Sequence, residues 1–222
     1  MPMCVCVADC TPLLIQQNNG WYNSMYRPWA DYKVGFGDPS DNYWLGNDLL
    51  SQLTADNRYK LKFDLQSLRN NNWYYAEYST FRVLSEADSY RLQVDGFSGN
   101  ASHDAFGLYH NGQQFSTIDR DNDPSSHNCA AWFGGGFWYG TYCGWCRVNG
   151  ARITRDFYWR GLPGGRDLHC SRMWLECKQW TSQSEHDLGP PLRLSYNNAK
   201  VTIDFRWTSN FQNILRRVQG FS

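Results

Sequence analysis

Between Ser116 and Cys143 the chain carries Ser116-Thr117-Ile118-Asp119-Arg120-Asp121-Asn122-Asp123, then Asn128-Cys129-Ala130, then Phe137-Trp138-Tyr139. Pro124 and the Asn, Ser and Asp around it hold this stretch in a turn and keep it out of any helix. In a turning or extended segment, residues i and i+2 point the same way, so Asp121 and Asp123 can face one cation. Ser125 and His127 continue the spacing and offer backbone carbonyls. Calcium is a hard ion that takes roughly six to eight oxygen ligands of these kinds. The same residues also suit a solvated acidic turn, with Asp119-Arg120 as a surface ion pair. Cys129 has a plausible disulfide partner in Cys143, and a bridge closing so short a loop is worth about 3 kcal/mol.

A chain of 222 residues with 41% hydrophobic content can bury one substantial core. Its 11 Trp and 14 Tyr fit a loop-rich interior, because each ring buries a large area while its polar tip finds a partner. The formal net charge is +0 and no basic stripe is visible, which argues against nucleic acid as a partner. No apolar run is long enough to insert in a membrane as a helix. Residues 1–11 lack the basic start and apolar stretch of a secretory signal.

Cysteines stand at 4, 6, 10, 129, 143, 146, 170 and 177. An even count points to disulfides and an oxidising compartment, with many connectivities open. Two alternatives are Cys143-Gly144-Trp145-Cys146 as a redox pair and Cys143, Cys146, Cys170 and Cys177 as a zinc site. The first lacks a βαβ context, and the second has a wide second pair. Asn100-Ala101-Ser102 is a glycosylation sequon in a secreted chain. There is no nucleophile elbow, paired-His metal helix or phosphate loop, so the chain is expected not to be an enzyme.

Asn47 is placed to cap a short helix ending at Leu53, with Leu49, Leu50 and Leu53 on one face. Residues 60–65 alternate, with Leu61, Phe63 and Leu65 on one side. Residues 73–84 and 90–94 form two strands of an antiparallel hairpin. From 95 to 150, Gly, Asn, Asp and Ser interleave with aromatics, so regular structure is sparse and function-bearing loops are expected. One further strand is expected at 201–205.

Taken together, these segments resemble the fibrinogen C-terminal domain family. The matching landmarks run in the family's order from Arg27-Pro28-Trp29-Ala30-Asp31-Tyr32-Lys33-Val34-Gly35-Phe36-Gly37 through Tyr43-Trp44-Leu45-Gly46-Asn47-Asp48 to Tyr75-Ala76-Glu77-Tyr78-Ser79-Thr80-Phe81-Arg82-Val83. Gly96-Phe97-Ser98-Gly99, then His110-Asn111-Gly112-Gln113-Gln114-Phe115-Ser116-Thr117 and the acidic loop complete the run. The resemblance is strong over residues 14–150 and fades after that. It implies an α+β fold, with an antiparallel sheet, short helices and a loop-rich calcium and ligand-binding region.

Residue by residue, the resemblance implies calcium ligands at Asp121, Asp123, Ser125 and His127, and a Cys129–Cys143 bridge. Family members that bind acetylated sugars have a tyrosine four residues after the first bridge cysteine and a histidine directly after the second. Here those positions are Phe133 and Gly144. Phe133, Trp138, Tyr139 and Gly144 are therefore the expected ligand surface, with Trp138 and Tyr139 keeping it aromatic. Glycine after the second cysteine is similar to the angiopoietin-type members, which bind receptors. The expected function is an extracellular, secreted, calcium-dependent lectin-like module in innate immunity, with a receptor- or matrix-binding module as the alternative. The expected domain spans residues 14–177, after a divergent start at 1–13 and before an unmatched tail at 178–222. Residues 1–13 stand where the family has a cysteine pair and a Gly-Gly-Gly-Trp segment, so the amino-terminal part of the domain is expected to be missing. Homo-oligomerisation through segments outside this chain is the expected source of avidity.

Overall fold

The computed structural model describes residues 11–21, 24–152 and 154–178, together with the backbone of strands at 193–197 and 200–204. The chain divides into two compact units, Met1–Lys178 and Gln179–Ser222. Cys4, Cys6 and Cys10 lie outside the described residues.

The first unit begins with β1 (Leu13–Asn18), whose six residues are all buried. Helix α1 (Trp29–Val34) follows, with Trp29 and Tyr32 turned inward, and then the short strands β2 (Phe36–Gly37) and β3 (Tyr43–Trp44). Helix α2 (Asn47–Leu53) buries Leu50 and Leu53. Leu49 leaves that face, and Asn47 is the first helical residue rather than its cap. The Asn47 side chain instead accepts the Trp44 indole N–H at 3.0 Å, so an inward-facing amide completes a buried tryptophan.

Strand β4 (Tyr59–Ser67) alternates as its sequence demands, burying Leu61, Phe63 and Leu65, whereas strand β5 (Trp73–Val83) buries Ala76 and Tyr78 and then, in the opposite phase, Phe81 and Val83. β6 (Leu92–Gly99) pairs antiparallel with β5. Only short elements interrupt the loops beyond it: α3 (Gly107–His110), α4 (Cys129–Phe133), β7 (Cys146–Arg147) and β8 (Tyr158–Trp159). The last strand of this unit, β9 (Leu168–Cys177), enters the middle of the sheet. The resulting order is β2-β3-β1-β9-β4-β5-β6, with every pairing antiparallel. Within the register Leu61 faces Leu175 and Phe63 faces Met173, so one face of β4 and β9 forms a single apolar layer.

Rings fill the space above that layer. Phe63 lies 5.0 Å from Phe106 and 5.1 Å from Trp159, and Trp138 lies 5.1 Å from Phe115 and 6.0 Å from Trp44. Buried amides tie the loops to the sheet. Gln16 Nε2 donates to Val148 O, Asn149 Oδ1 and Ser171 Oγ, each at 3.0 Å. Asn18 Nδ2 donates at 2.9 Å to the carbonyls of Val148 and Gly150. The amide N–H groups of Gln16 and Asn18 can stay buried in β1 because loop carbonyls accept from them, while Gln16 Oε1 is left without a partner among the described residues.

In the second unit, β10 (Arg193–Asn197) and β11 (Lys200–Asp204) form an antiparallel pair. The tail therefore holds two strands where one was expected.

Candidate functional site

The acidic loop owes its shape to its own side chains. Asp121 Oδ1 accepts the Asp123 N–H at 3.2 Å, and Asp123 Oδ1 accepts the Ser125 N–H at 3.0 Å. These are two successive aspartate turns. The other Asp123 oxygen accepts the Cys129 N–H at 3.0 Å, which joins the loop to the start of α4. Asn122 Nδ2 donates to Phe115 O at 2.7 Å, and Asn128 caps α4 by accepting the Ala131 N–H at 2.9 Å. Asp119 turns away from the loop, accepting the Trp29 N–H at 2.8 Å and the Thr117 hydroxyl at 2.7 Å. Arg120 packs 4.0 Å over the Trp29 ring instead of pairing with Asp119.

Asp121 and Asp123 thus lie side by side with no basic partner among the described residues. Burial, and the Asp121 carboxylate beside it, push Asp123 up, against the two backbone amides that pull it down. The carbonyls of Ser125 and His127 accept no hydrogen bond among the described residues. Two neighbouring carboxylates and two carbonyls that accept no hydrogen bond among the described residues are oxygens of the kind a hard cation takes. The hydrogen bonds to the backbone fix the carboxylate oxygens within the loop.

The expected ligand surface is dispersed. Trp138 is 0% exposed and donates its indole N–H to the Tyr90 carbonyl at 2.7 Å. Tyr139 is buried too, with its hydroxyl donating to Gly135 O at 2.6 Å. Both belong to the core, so the expectation that they present an aromatic surface is corrected. Their polar tips are consumed inside the fold, and the surrounding rings leave no face free.

Phe133, half-buried, and Gly144, buried, line different clefts. Phe133 lines a cleft of about 310 Å³ with Tyr26, Trp132, Gly134, Ala151 and Thr154. Trp132, which the sequence did not single out, is 64% exposed there and packs 4.5 Å from the His127 ring. Arg147 supports Phe133 from within, its guanidinium 3.3 Å from the ring centroid and 2.8 Å from Asp156. Gly144 lines a larger cleft of about 560 Å³ with Tyr142, Trp145, Tyr158, Arg160 and Arg166. Arg147 also lies 5.0 Å from Tyr158, so one guanidinium separates the two clefts.

Gly144 has φ 79 and ψ -177, a backbone region essentially reserved for glycine. An added Cβ would overlap the Cε1–Nε2 edge of the His110 ring. That imidazole is fully buried, and burial pushes it down to about 4, so it is neutral. Its Nδ1 must carry the proton, because its 2.7 Å partner is the Trp138 carbonyl, which can only accept. A histidine from elsewhere in the chain therefore occupies the space beside Gly144.

Cys129 and Cys143 are bonded to each other, and Cys177 is also disulfide-bonded. Cys146 and Cys170 are free and buried. The redox pair and the four-cysteine zinc site are both excluded by these pairings, and no cluster of three or more His, Cys, Asp or Glu suited to a metal occurs among the described residues. Asn100 is exposed, with Oδ1 accepting the Tyr75 N–H at 2.7 Å.

A family model described as fibrinogen beta and gamma chains, C-terminal globular domain, matches residues 9–179. The chain belongs to this fibrinogen C-terminal domain family. Protein scabrous of Drosophila melanogaster is 46% identical over 124 residues, which is 56% of this chain and 15% of that protein. Angiopoietin-4 of Bos taurus is 39% identical over 69% of this chain and 30% of its own length. Ficolin-3 of Homo sapiens is 37% identical over 62% of this chain and 45% of its own. The chain thus spans less than half the length of these relatives. Among solved structures, the fibrinogen-like globe domain of human ANGPTL2 superposes with a TM-score of 0.67 at 32% identity, covering 75% of this chain and 80% of that one. Lamprey fibrin D-dimer, complexed with the peptide Gly-His-Arg-Pro-amide, gives 0.66 at 26% identity over 82% of this chain and 67% of that one. The fibrinogen-like globe is α+β, as expected, with one antiparallel sheet and a few short helices.

Proposed function

We propose that this domain is a non-catalytic recognition module working outside the cell, where it binds one calcium ion and a glycan at adjoining sites. The carboxylates of Asp121 and Asp123 and the carbonyls of Ser125 and His127 would hold the ion. Calcium supplies the charge that offsets the two carboxylates. The glycan would lie in the cleft of Tyr26, Trp132 and Phe133. One observation carries this reading: the His127 ring packs 4.5 Å from Trp132, so the residue that offers a carbonyl to the ion also steadies the most exposed ring of the cleft. An ordered loop fixes that ring and lowers the entropy lost on binding. The disulfides at Cys129–Cys143 and Cys177 fit an oxidising compartment.

Calcium-loaded protein is expected to be retained on an N-acetylglucosamine resin and released by chelator. Trp132→Ala should abolish retention while changing stability by no more than about 0.5 kcal/mol, since that ring is exposed. Flow-through of folded wild type would refute glycan binding and support a second reading, a receptor- or matrix-binding module in which calcium only stiffens the loop. That reading has its own support in Gly144, where His110 leaves no room for the histidine of the sugar-binding members. In either case homo-oligomers would strengthen weak single-site binding.

A further inference from the structure

The larger cleft differs in chemistry from the one beside the calcium loop. Arg160 and Arg166 line it, and none of its lining residues is acidic. Arg160 has no carboxylate partner among the described residues. Its guanidinium lies 3.6 Å from the Trp145 ring centroid, Trp145 is stacked 3.8 Å from Tyr109, and the Arg160 N–H donates to Trp145 O at 3.0 Å. The cation is therefore fixed on an aromatic support with its donors uncommitted. Arg166 lies 4.8 Å over Tyr158, and its contact with Asp167, at 3.5 Å, is exposed on both sides. Such a surface pair is weak and gives way to a better acceptor. Tyr142 adds a ring that is 87% exposed.

We propose that this cleft binds a saccharide carrying an oxyanion, a carboxylate or a sulfate ester, with the anion held by Arg160 and Arg166 and the sugar ring against Trp145 and Tyr142. A guanidinium presents a planar fork that matches two oxygens of such a group, and charge-assisted hydrogen bonds of this type are the strong ones. A neutral N-acetylated sugar offers the cleft no such partner, and a cationic peptide meets two like charges. The site is separate from the cleft at Trp132 and needs no calcium, so it stands or falls apart from the function proposed above.

The test is titration calorimetry on the full chain with three probes: the methyl glycosides of N-acetylneuraminic acid, of 6-sulfo-N-acetylglucosamine and of N-acetylglucosamine. At least one anionic probe is expected to bind about tenfold or more tightly than the neutral one, weakening as salt rises. Which of the two binds better assigns carboxylate or sulfate. Arg160→Gln and Arg166→Gln should each cut that affinity by about tenfold, the loss of a charge-assisted hydrogen bond. Arg160→Lys, which keeps charge and removes the fork, should recover only part of it. Trp132→Ala and chelator should leave it unchanged. Melting curves confirm that each variant is folded, and Arg166, being exposed, provides a substitution with little structural cost. Equal affinity for anionic and neutral probes, no binding of either anionic probe, or unchanged affinity in the Arg160→Gln and Arg166→Gln double variant would overturn the proposal.

Discussion

Replacing Gly144 with alanine is expected to destabilise the domain by about 2 to 6 kcal/mol. The backbone at φ 79 and ψ -177 costs any residue with a Cβ about 1 to 3 kcal/mol. The clash with His110 adds a similar overpacking term of about 1 to 3 kcal/mol. The imidazole has no easy retreat. It is held by the Trp138 carbonyl at 2.7 Å, stacked on Phe106 at 5.6 Å and packed on Phe137 at 5.3 Å. The check is a urea midpoint that falls with the slope unchanged. A variant unfolding at the wild-type midpoint would show that the backbone at Gly144 is not as described. Gly144→His, meant to install the histidine of sugar-binding members, should damage the fold rather than create an acetyl pocket.

Trp138→Ala is expected to cost about 3 to 5 kcal/mol, the range for deleting a large buried ring. The ring lies 5.1 Å from Phe115, 6.0 Å from Trp44 and 6.4 Å from Phe81, and its loss also strands the Tyr90 carbonyl. Thermal or urea unfolding measures this directly. Were Trp138 part of a ligand surface, the variant would keep its stability and lose only binding, which would contradict its placement in the core.

The contrast between Trp132 and Trp138 marks the limit of what sequence could reveal. Six positions apart in a loop-rich stretch with no helical or strand period, the two look alike, yet one is 64% exposed and the other 0%. Where a period exists, it was legible. The alternation in β4 and the β5–β6 hairpin were readable because their partners are neighbours in sequence. β9 has no local signature, since its partners β1 and β4 lie more than a hundred residues earlier and local pattern cannot announce such pairing. β1 was hidden because Gln16, Gln17 and Asn18 look solvent-facing until the carbonyls of residues 148 and 150 arrive to satisfy two of them. The turn at Asp121 and Asp123 was legible, because aspartate turns are local. The roles of Arg147 and Arg160 were not, because each rests on a ring brought to it by tertiary packing.

The central claim is that the acidic loop is a calcium site, and melting with and without calcium tests it most directly. Calcium at about 100 to 1,000 times its dissociation constant should stabilise wild type by about 2.7 to 4.1 kcal/mol. For a domain of this size that raises Tm by roughly 6 to 15 °C. The Asp121→Asn, Asp123→Asn double variant should fold, since it loses two adjacent like charges, and its Tm should not respond to calcium. A calcium response of equal size in wild type and variant, or none in wild type, would contradict the account.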